Sequence, residues 1–389
     1  MAFKDVMKDI EGFQEIQHEV EILRKYGQGF TSRRGEVKRM IDMLHPARVQ
    51  LEVSEILAET PSTRTLRFVS PEGYLPPFQA GQYVNLFVEI GGVRTSRPYS
   101  ISSSPTQAGY YDLTVRRTQD GFVSNYLLEE VTVGDTFESS SPAGVFTYNP
   151  LFHRTDLVFL AGGSGITPFM SMIREVADRG LKRNIQLIYG SQSPDDVIFG
   201  GELEEIARTH GNINFKVVIS EPPAGYTGCT GFLSASCITD CIGEIGNKMF
   251  YLCGPEAMYT FCEAELEGLG IKKRRIRKEV FGPPKDITLQ PGWPEGLRAD
   301  AEFSVTLEGG RHITARAGEP LMNSLERQGI VIPALCRSGE CSLCRTRLVS
   351  GRVYQPQGVK LRKSDRQFGY IHPCMAYPIA DLELGLRTR

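Results

Sequence analysis

The chain predicts a multi-domain fold: a short helical N-terminal extension, a six-stranded antiparallel barrel, an α/β domain on a parallel sheet, and a small C-terminal unit built around cysteines. Three observations carry this. The apolar period of two gives way near Asp156 to strands alternating with helices. A Pro/Gly-rich stretch, Gly282-Pro283-Pro284 through Trp293-Pro294, cuts the chain a second time. Four of the nine cysteines lie beyond that cut. At 389 residues the chain is too long for one core, and two or three domains are expected. The expected divisions are 1–47, 48–150, 151–285, a linker at 286–300, and 301–389.

In the extension, Phe3, Val6, Ile10, Phe13, Ile16, Val20 and Leu23 recur at steps of three and four, one apolar helical stripe. Tyr26-Gly27-Gln28-Gly29 stops it, and a second short helix is expected from Glu36 to Leu44. The stripe is read as a cap on the chain's own surface, with a partner or a second copy as the alternative. From Arg48 come six β-rich runs, Val49–Val53, Thr63–Val69, Tyr83–Ile90, Ser96–Ile101, Tyr111–Arg117 and Thr136–Ser140, separated by turn residues. Buried strands are then expected at Asp156–Ala161, Ile185–Gly190, Asn214–Ser220, Phe250–Cys253 and Ile276–Val280. Beyond the linker, two strands and a helix near Pro320–Gly329 precede the cysteine loop.

Composition narrows the function. A net charge of −2 argues against nucleic acid as the main partner. No apolar run approaches the roughly 20 residues that span a bilayer. The charged start, Met1-Ala2-Phe3-Lys4-Asp5, is unlike a secretory signal, so a cytoplasmic protein is expected. In a reducing compartment the five scattered cysteines read as thiols and the C-terminal cluster as a metal site.

Arg97-Pro98-Tyr99-Ser100 ends a strand of the barrel. An Arg neutralises a phosphate, a Tyr stacks on a flat ring and a hydroxyl bonds a ring nitrogen. Gly121-Phe122-Val123-Ser124 then opens a helix, where free N–H groups suit a pyrophosphate. The two motifs in this order resemble the ferredoxin–NADP reductase-like flavoproteins. That resemblance implies that Arg97 and Ser124 hold flavin phosphates, that Tyr99 stacks on the flavin and that Ser100 faces its N5. Pro98, Gly121 and Val123 belong to the same binding set. The implied cofactor is FAD, with FMN as the alternative.

Gly162-Gly163-Ser164-Gly165-Ile166-Thr167 runs from a strand into a helix, a tight turn that lets a diphosphate approach the backbone. It is similar to the pyridine-nucleotide loop of the same family, as Cys253-Gly254-Pro255 is to the motif whose Cys lies near the nicotinamide. By the same resemblance Phe281 covers the flavin ring where nicotinamide enters, and Glu279 lines that pocket. Glu221, after the third strand, would repel a 2′-phosphate and bond a plain ribose, which favours NADH over NADPH.

Cys336, Cys341, Cys344 and Cys374 form C-x4-C-x2-C with a distant fourth ligand, which suits a plant-type [2Fe–2S] cluster. Zinc is the alternative, but its sites usually bring two close pairs. Ser342 stands where such loops commonly have Gly. A C-terminal ferredoxin domain of β-grasp type is thus implied, and the domain order resembles reductases of the phthalate dioxygenase reductase type. Hydride carries two electrons and the cluster one at a time, so the expected route is NADH to FAD to [2Fe–2S] to a separate acceptor protein. The expected acceptor is a terminal oxygenase; the alternatives are a hybrid-cluster or corrinoid protein, or a role as a redox sensor or complex subunit. Residues 301–389 hold 13 Lys/Arg against 8 Asp/Glu, a net +5. Arg337, Arg345, Arg347, Arg352, Lys360, Arg362, Lys363 and Arg366 are read as a basic face for an acidic partner, the alternatives being a solvated face or a seam that docks this domain on its own acidic reductase half.

Overall fold

The computed structural model describes residues 13–26 and 34–387. Two units are distinct, residues 1–47 and 48–389. The first contains α1 (Phe13–Tyr26) and α2 (Arg34–Leu44). Phe3, Val6, Ile10 and the glycine stop at Gly27–Gly29 lie outside the described residues. Ile16, Val20 and Leu23 are 59%, 40% and 53% exposed.

In the second unit, β1 (Val49–Thr60), β2 (Thr63–Val69), β3 (Tyr83–Ile90), β4 (Val93–Ser100), β5 (Tyr111–Arg116) and β6 (Thr136–Ser139) form one antiparallel sheet, ordered β4-β3-β6-β1-β2-β5. A single bridge, Ile101 to Leu113, brings the two edges together, so the barrel closes at the β4 end only. β1 runs seven residues past its expected end at Val53, through irregularities at Val53/Glu55 and Ala58/Thr60. Those bulges break the alternation of two, which is why the extension is invisible to periodicity. Helix α3 (Phe122–Glu129) buries Val123, Leu127 and Leu128 in the barrel core beside Leu66, Leu86 and Leu113.

The middle domain is a six-stranded sheet ordered β10-β9-β8-β7-β11-β12, every pair parallel. Its strands are β7 (Asp156–Gly162), β8 (Asn184–Ser191), β9 (Ile213–Ile219), β10 (Cys229–Thr230), β11 (Met249–Cys253) and β12 (Ile276–Glu279). The two-residue β10 is too short to leave a sequence signal. Helices α4 (Thr167–Arg179), α5 (Gly200–Thr209), α6 (Ala235–Ile242) and α7 (Glu256–Gly268) cover the sheet. Separate cores form on its two faces, one around Phe159, Phe169 and Tyr251, the other around Leu160, Phe250 and Cys262.

The C-terminal sheet is mixed, ordered β14-β13-β19-β15-β17. β13 (Glu302–Glu308) pairs antiparallel with β14 (His312–Arg316) and parallel with β19 (Leu382–Arg387). β15 (Thr346–Ser350) and β17 (Tyr370–Ile371) follow; β16 (Val353–Tyr354) pairs separately with β18 (Tyr377–Pro378). Helix α8 (Leu321–Arg327) lies in the core with Leu321, Met322 and Leu325 fully buried, and α9 (Lys363–Gln367) precedes β17. A hairpin, a helix and a returning parallel strand make the β-grasp arrangement.

Candidate active site

Four segments converge at the open ends of the sheets. The first is β4. Its antiparallel register with β3 sets Tyr83 opposite Ser100, Asn85 opposite Pro98 and Leu86 opposite Arg97. The Arg97 hydrogen bonds run to neutral oxygens: Nη1 donates to Thr95 Oγ1 at 2.8 Å and to the Ser96 carbonyl at 2.7 Å. Burial, and then repulsion from Arg337, lowers its pKa to about 10. Burial also pushes the Tyr99 phenol well above its ordinary value. Fully buried Asn85 donates from Nδ2 to Ser96 Oγ and to the Ala334 carbonyl, both at 2.9 Å, while its Oδ1 has no protein partner. At the N-terminus of α3, a Cβ on Gly121 would overlap Ser124 Oγ and approach the Thr118 carbonyl to 3.0 Å, so the turn needs glycine. A desolvated cation, an orphan buried acceptor and an uncapped helix start are what a phosphate-bearing, hydrogen-bonding ring system requires. The residues fit a flavin.

The second and third segments are the glycine loop after β7 and the Cys253-Gly254-Pro255 turn after β11. β7 and β11 are neighbours with Ala161 level with Cys253. Their ends press backbone on backbone. A Cβ on Gly165 would overlap the Cys253 carbonyl and sit 2.6 Å from Gly254 N; one on Gly162 would meet Met258 Sδ at 2.6 Å and Pro255 Cδ at 2.8 Å. Gly163 has φ +52°, and the loop passes through a 3₁₀ turn, Gly163–Ile166, before α4 begins at Thr167. The expected direct entry into the helix is thus delayed by one turn. Thr167 Oγ1 donates to the Ser164 carbonyl at 3.0 Å and ties that turn. Arg116 of β5, ion-paired with Asp196, lies against Gly163.

Behind Cys253 stands Tyr259. Its hydroxyl accepts the Gly254 N–H at 3.1 Å and donates to the Glu279 carbonyl. The Cys253 thiol also bonds this hydroxyl; burial pushes the thiol well above its ordinary pKa, with the nearby Glu279 carboxyl adding to the shift. Tyr259 therefore joins the second half of the nucleotide site to the fourth segment, which carries Glu279 and Phe281. Glu279 is 9% exposed with Oε2 unpartnered. Burial raises its pKa to about 8, helped by repulsion from Glu340. Phe281 meets Tyr83 edge-on, 6.2 Å between centroids, so it stands beside the β3–β4 pair that carries Ser100. Glu221 is elsewhere: exposed at the end of β9, it accepts from Gln192 Nε2 at 2.9 Å.

The cysteine loop packs against this end of the barrel. Cys336, Cys344 and Cys374 are 6%, 4% and 3% exposed, whereas Cys341 is exposed. The backbone N–H groups of Ser338, Glu340 and Cys341 point at Cys336 Sγ from 3.5, 3.4 and 3.3 Å. Cys344 and Cys374 place their sulfurs 3.4 Å apart. Among the described residues no three His, Cys, Asp or Glu converge as they would on a single ion. Four cysteines on this loop and a distant segment, with backbone N–H donors around Cys336 Sγ, suit an iron–sulfur cluster. The loop holds this shape through αL residues: Gly339 at φ +77°, and the non-glycines Arg337 (+52°) and Ser342 (+60°). Arg337 requires a correction. Counted with the basic face, it is 5% exposed and paired with Glu326 through Nη1–Oε1 at 2.6 Å and Nη2–Oε2 at 2.9 Å.

Comparison with known proteins agrees with this geometry. Residues 48–148 match the family model of the oxidoreductase FAD-binding domain, 159–264 the oxidoreductase NAD-binding domain, and 305–378 the 2Fe-2S iron-sulfur cluster binding domain. The chain is 31% identical over 350 residues to the ferredoxin reductase component of 3-ketosteroid-9-alpha-monooxygenase from Mycolicibacterium smegmatis, covering 86% of this chain and 95% of that protein. The chain belongs to the FAD- and NAD-binding iron–sulfur reductases. The reductase is also 30% identical to NADH oxidoreductase HCR of Escherichia coli, covering 86% of this chain and 97% of that one. It is 28% identical to the glycine betaine monooxygenase reductase subunit of Pseudomonas aeruginosa, with 84% and 92% covered. Its fold matches phthalate dioxygenase reductase at a TM-score of 0.66 and 24% identity, over 87% of this chain and 98% of that chain.

The reductase thus binds a nicotinamide nucleotide, FAD and a [2Fe–2S] cluster, and moves electrons through them in that functional order. The sequence motifs identify the four segments. Tyr83, Asn85, Arg116, Tyr259 and Glu326, which hold the segments together, leave no motif, because their partners lie outside the short contiguous runs whose spacing is a signal.

Proposed function

We propose that the reductase takes hydride from NADH and delivers single electrons to a separate oxygenase component with an acidic docking face. The observation that carries this is the asymmetry of the cysteine loop: three ligands are buried and Cys341 alone is exposed. When bound, FAD and the cluster convert a two-electron donation into one-electron steps. The chain's residues divide the remaining work. Arg97, with Pro98 and Tyr99, and Ser124, with Gly121 and Val123, hold the flavin. Ser100 faces its reactive edge. Gly162, Gly163, Ser164, Gly165 and Thr167 cradle the nucleotide diphosphate. Cys253, Gly254 and Pro255 wall the nicotinamide site, Glu279, whose own carboxyl burial holds protonated up to about pH 8, lines it, and Phe281 guards its entrance. Cys336, Cys341, Cys344 and Cys374 ligate the irons.

Three of the relatives are reductase parts of monooxygenase or demethylase systems by name, which supports an oxygenase as acceptor. One relative's name specifies NADH, and the Glu221 carboxylate, which would repel a 2′-phosphate, supports the same choice. The docking face consists of exposed Arg347, Arg352, Arg362, Lys363 and Arg366; Arg345 and Lys360 are already committed to Asp365 and Glu340. Nine unpaired thiols suit a cytoplasmic setting. No helix among the described residues is long and apolar enough to cross a membrane.

The deciding experiment measures turnover with the co-purified oxygenase at limiting concentration. Added salt, and charge reversal at Arg362 and Lys363, should each raise its apparent KM while NADH-to-ferricyanide activity stays constant. A KM unmoved by both removes the basic face from the account. Because Glu221 is exposed, Glu221→Arg should shift the NADH/NADPH preference by only about fivefold.

A further inference from the structure

We propose that Thr95 and Glu326 form a latch that holds the cluster-bearing domain on the flavin barrel, so that electrons pass between the two cofactors in one fixed arrangement. The inference rests on the electron route given above. Relative motion is the default for domains joined by a linker. This seam is built otherwise. Thr95, on β4, is 4% exposed and donates from Oγ1 to Glu326 Oε2 at 2.8 Å. Glu326, on α8, is 4% exposed, and the same oxygen accepts from Arg337 Nη2. Arg337 also donates to Asn323 Oδ1 at 3.0 Å and follows the first ligand, Cys336. On the barrel side, Thr95 Oγ1 accepts from Arg97. A continuous path of hydrogen bonds therefore runs Arg97–Thr95–Glu326–Arg337, from the residue placed at the flavin phosphate to the residue beside a cluster ligand.

Asn85 grips the same loop from the other side through the Ala334 carbonyl, two residues before Cys336. Between these holds the loop is fixed at both flanks of its first ligand. Buried polar networks of this kind specify a unique packing, because each partner left unsatisfied away from water is costly. A carboxylate at the seam needs the barrel hydroxyl as well as the arginine. An Arg at positive φ persists only when its surroundings over-determine it, and here Glu326 and Asn323 hold the guanidinium.

The test uses the full chain with both cofactors loaded. Thr95→Val keeps the shape, leaves the Glu326–Arg337 pair intact and removes the cross-domain hydrogen bond together with the one that Oγ1 accepts from Arg97, whose guanidinium keeps its bond to the Ser96 carbonyl. Stopped-flow absorbance separates flavin reduction by NADH from the following cluster reduction, and small-angle scattering reports the radius of gyration. Thr95→Val should slow cluster reduction about fivefold or more, the effect of losing one hydrogen bond to a buried charged acceptor. Flavin reduction should stay within about twofold, the radius of gyration should rise, and Thr95→Ser should restore both readings. Wild-type cluster reduction should also be insensitive to salt, because the network is shielded from solvent. Unchanged scattering with an unchanged cluster phase overturns the latch, as does an equal slowing of both phases. A wild-type protein whose flavin reduces and whose cluster never does would instead overturn the electron route itself.

Discussion

Glu279 is a carboxyl placed where ionisation is penalised. Burial is the main cause of its pKa of about 8, so the folded protein binds this proton more tightly than the unfolded chain does. Stability contributed by that proton is complete below the unfolded value near 4.5 and declines as pH rises toward 8. Urea unfolding from pH 5 to 9 should show wild type losing stability relative to Glu279→Gln across that window, with the difference level above it. A parallel pair of curves would show that the carboxyl is already ionised. Tyr259 works by contact with three backbone and side-chain partners at once. Tyr259→Phe should cost about 1–3 kcal/mol at the Cys253–Gly254 turn and slow flavin reduction by NADH about tenfold. Stopped-flow rates with flavin content held equal check this. Residue-scale chemistry was only half legible in the sequence. Arg97, Gly163 and Cys253 sit in short contiguous motifs whose spacing is itself the signal. Tyr259 lies six residues beyond its cysteine with no pattern to mark it, and Arg337 looked like surface charge because its partner Glu326 lies eleven residues back.

At the scale of elements, the proposed nucleotide loop meets the Cys253 turn where β7 and β11 end, with no room for a side chain at Gly165. Gly165→Ala would drive a methyl group into the Cys253 carbonyl, and both segments are backbone with no flexible side chain to yield. The variant should lose about 2–4 kcal/mol of stability and bind NADH at least about tenfold more weakly, measured by flavin-domain melting and by titration. The cysteine loop gives the opposite case. Ser342 holds φ +60°, a conformation glycine adopts without strain. Ser342→Gly should raise the unfolding free energy by about 0.5–1 kcal/mol, the αL penalty less the added entropy of the unfolded glycine. A loss of stability would mean that the Ser342 hydroxyl outweighs that backbone strain. Strands were legible where apolar residues alternate cleanly, as in Thr63–Val69 and Tyr83–Ile90, whose ends coincide with expectation. They were not legible where bulges interrupt β1 or where β10 has only two residues.

Across the whole molecule, the three cofactor regions meet through side chains that no single domain explains: Thr95 with Glu326, Asn85 with Ala334, Phe281 with Tyr83. On the proposed route the nicotinamide and the cluster are served by different residues, so the two half-reactions should separate cleanly. Cys341→Ala should leave flavin reduction by NADH within about twofold and abolish cytochrome c reduction, with iron falling from about two per chain. Equal loss of both activities would refute a modular route. The exposure of that same cysteine also bears on how the protein is made. Cys374 reaches its neighbours only after β15, α9 and β17 have wrapped round to bring it to Cys344, and the closed loop then shields three of the four sulfurs. Iron and sulfide reaching an already folded chain would find Cys341 the most accessible of the four cysteines. On the proposed electron route, the side of the loop that serves the acceptor is then also the side from which the cluster is built, so an acceptor bound too early should slow that assembly.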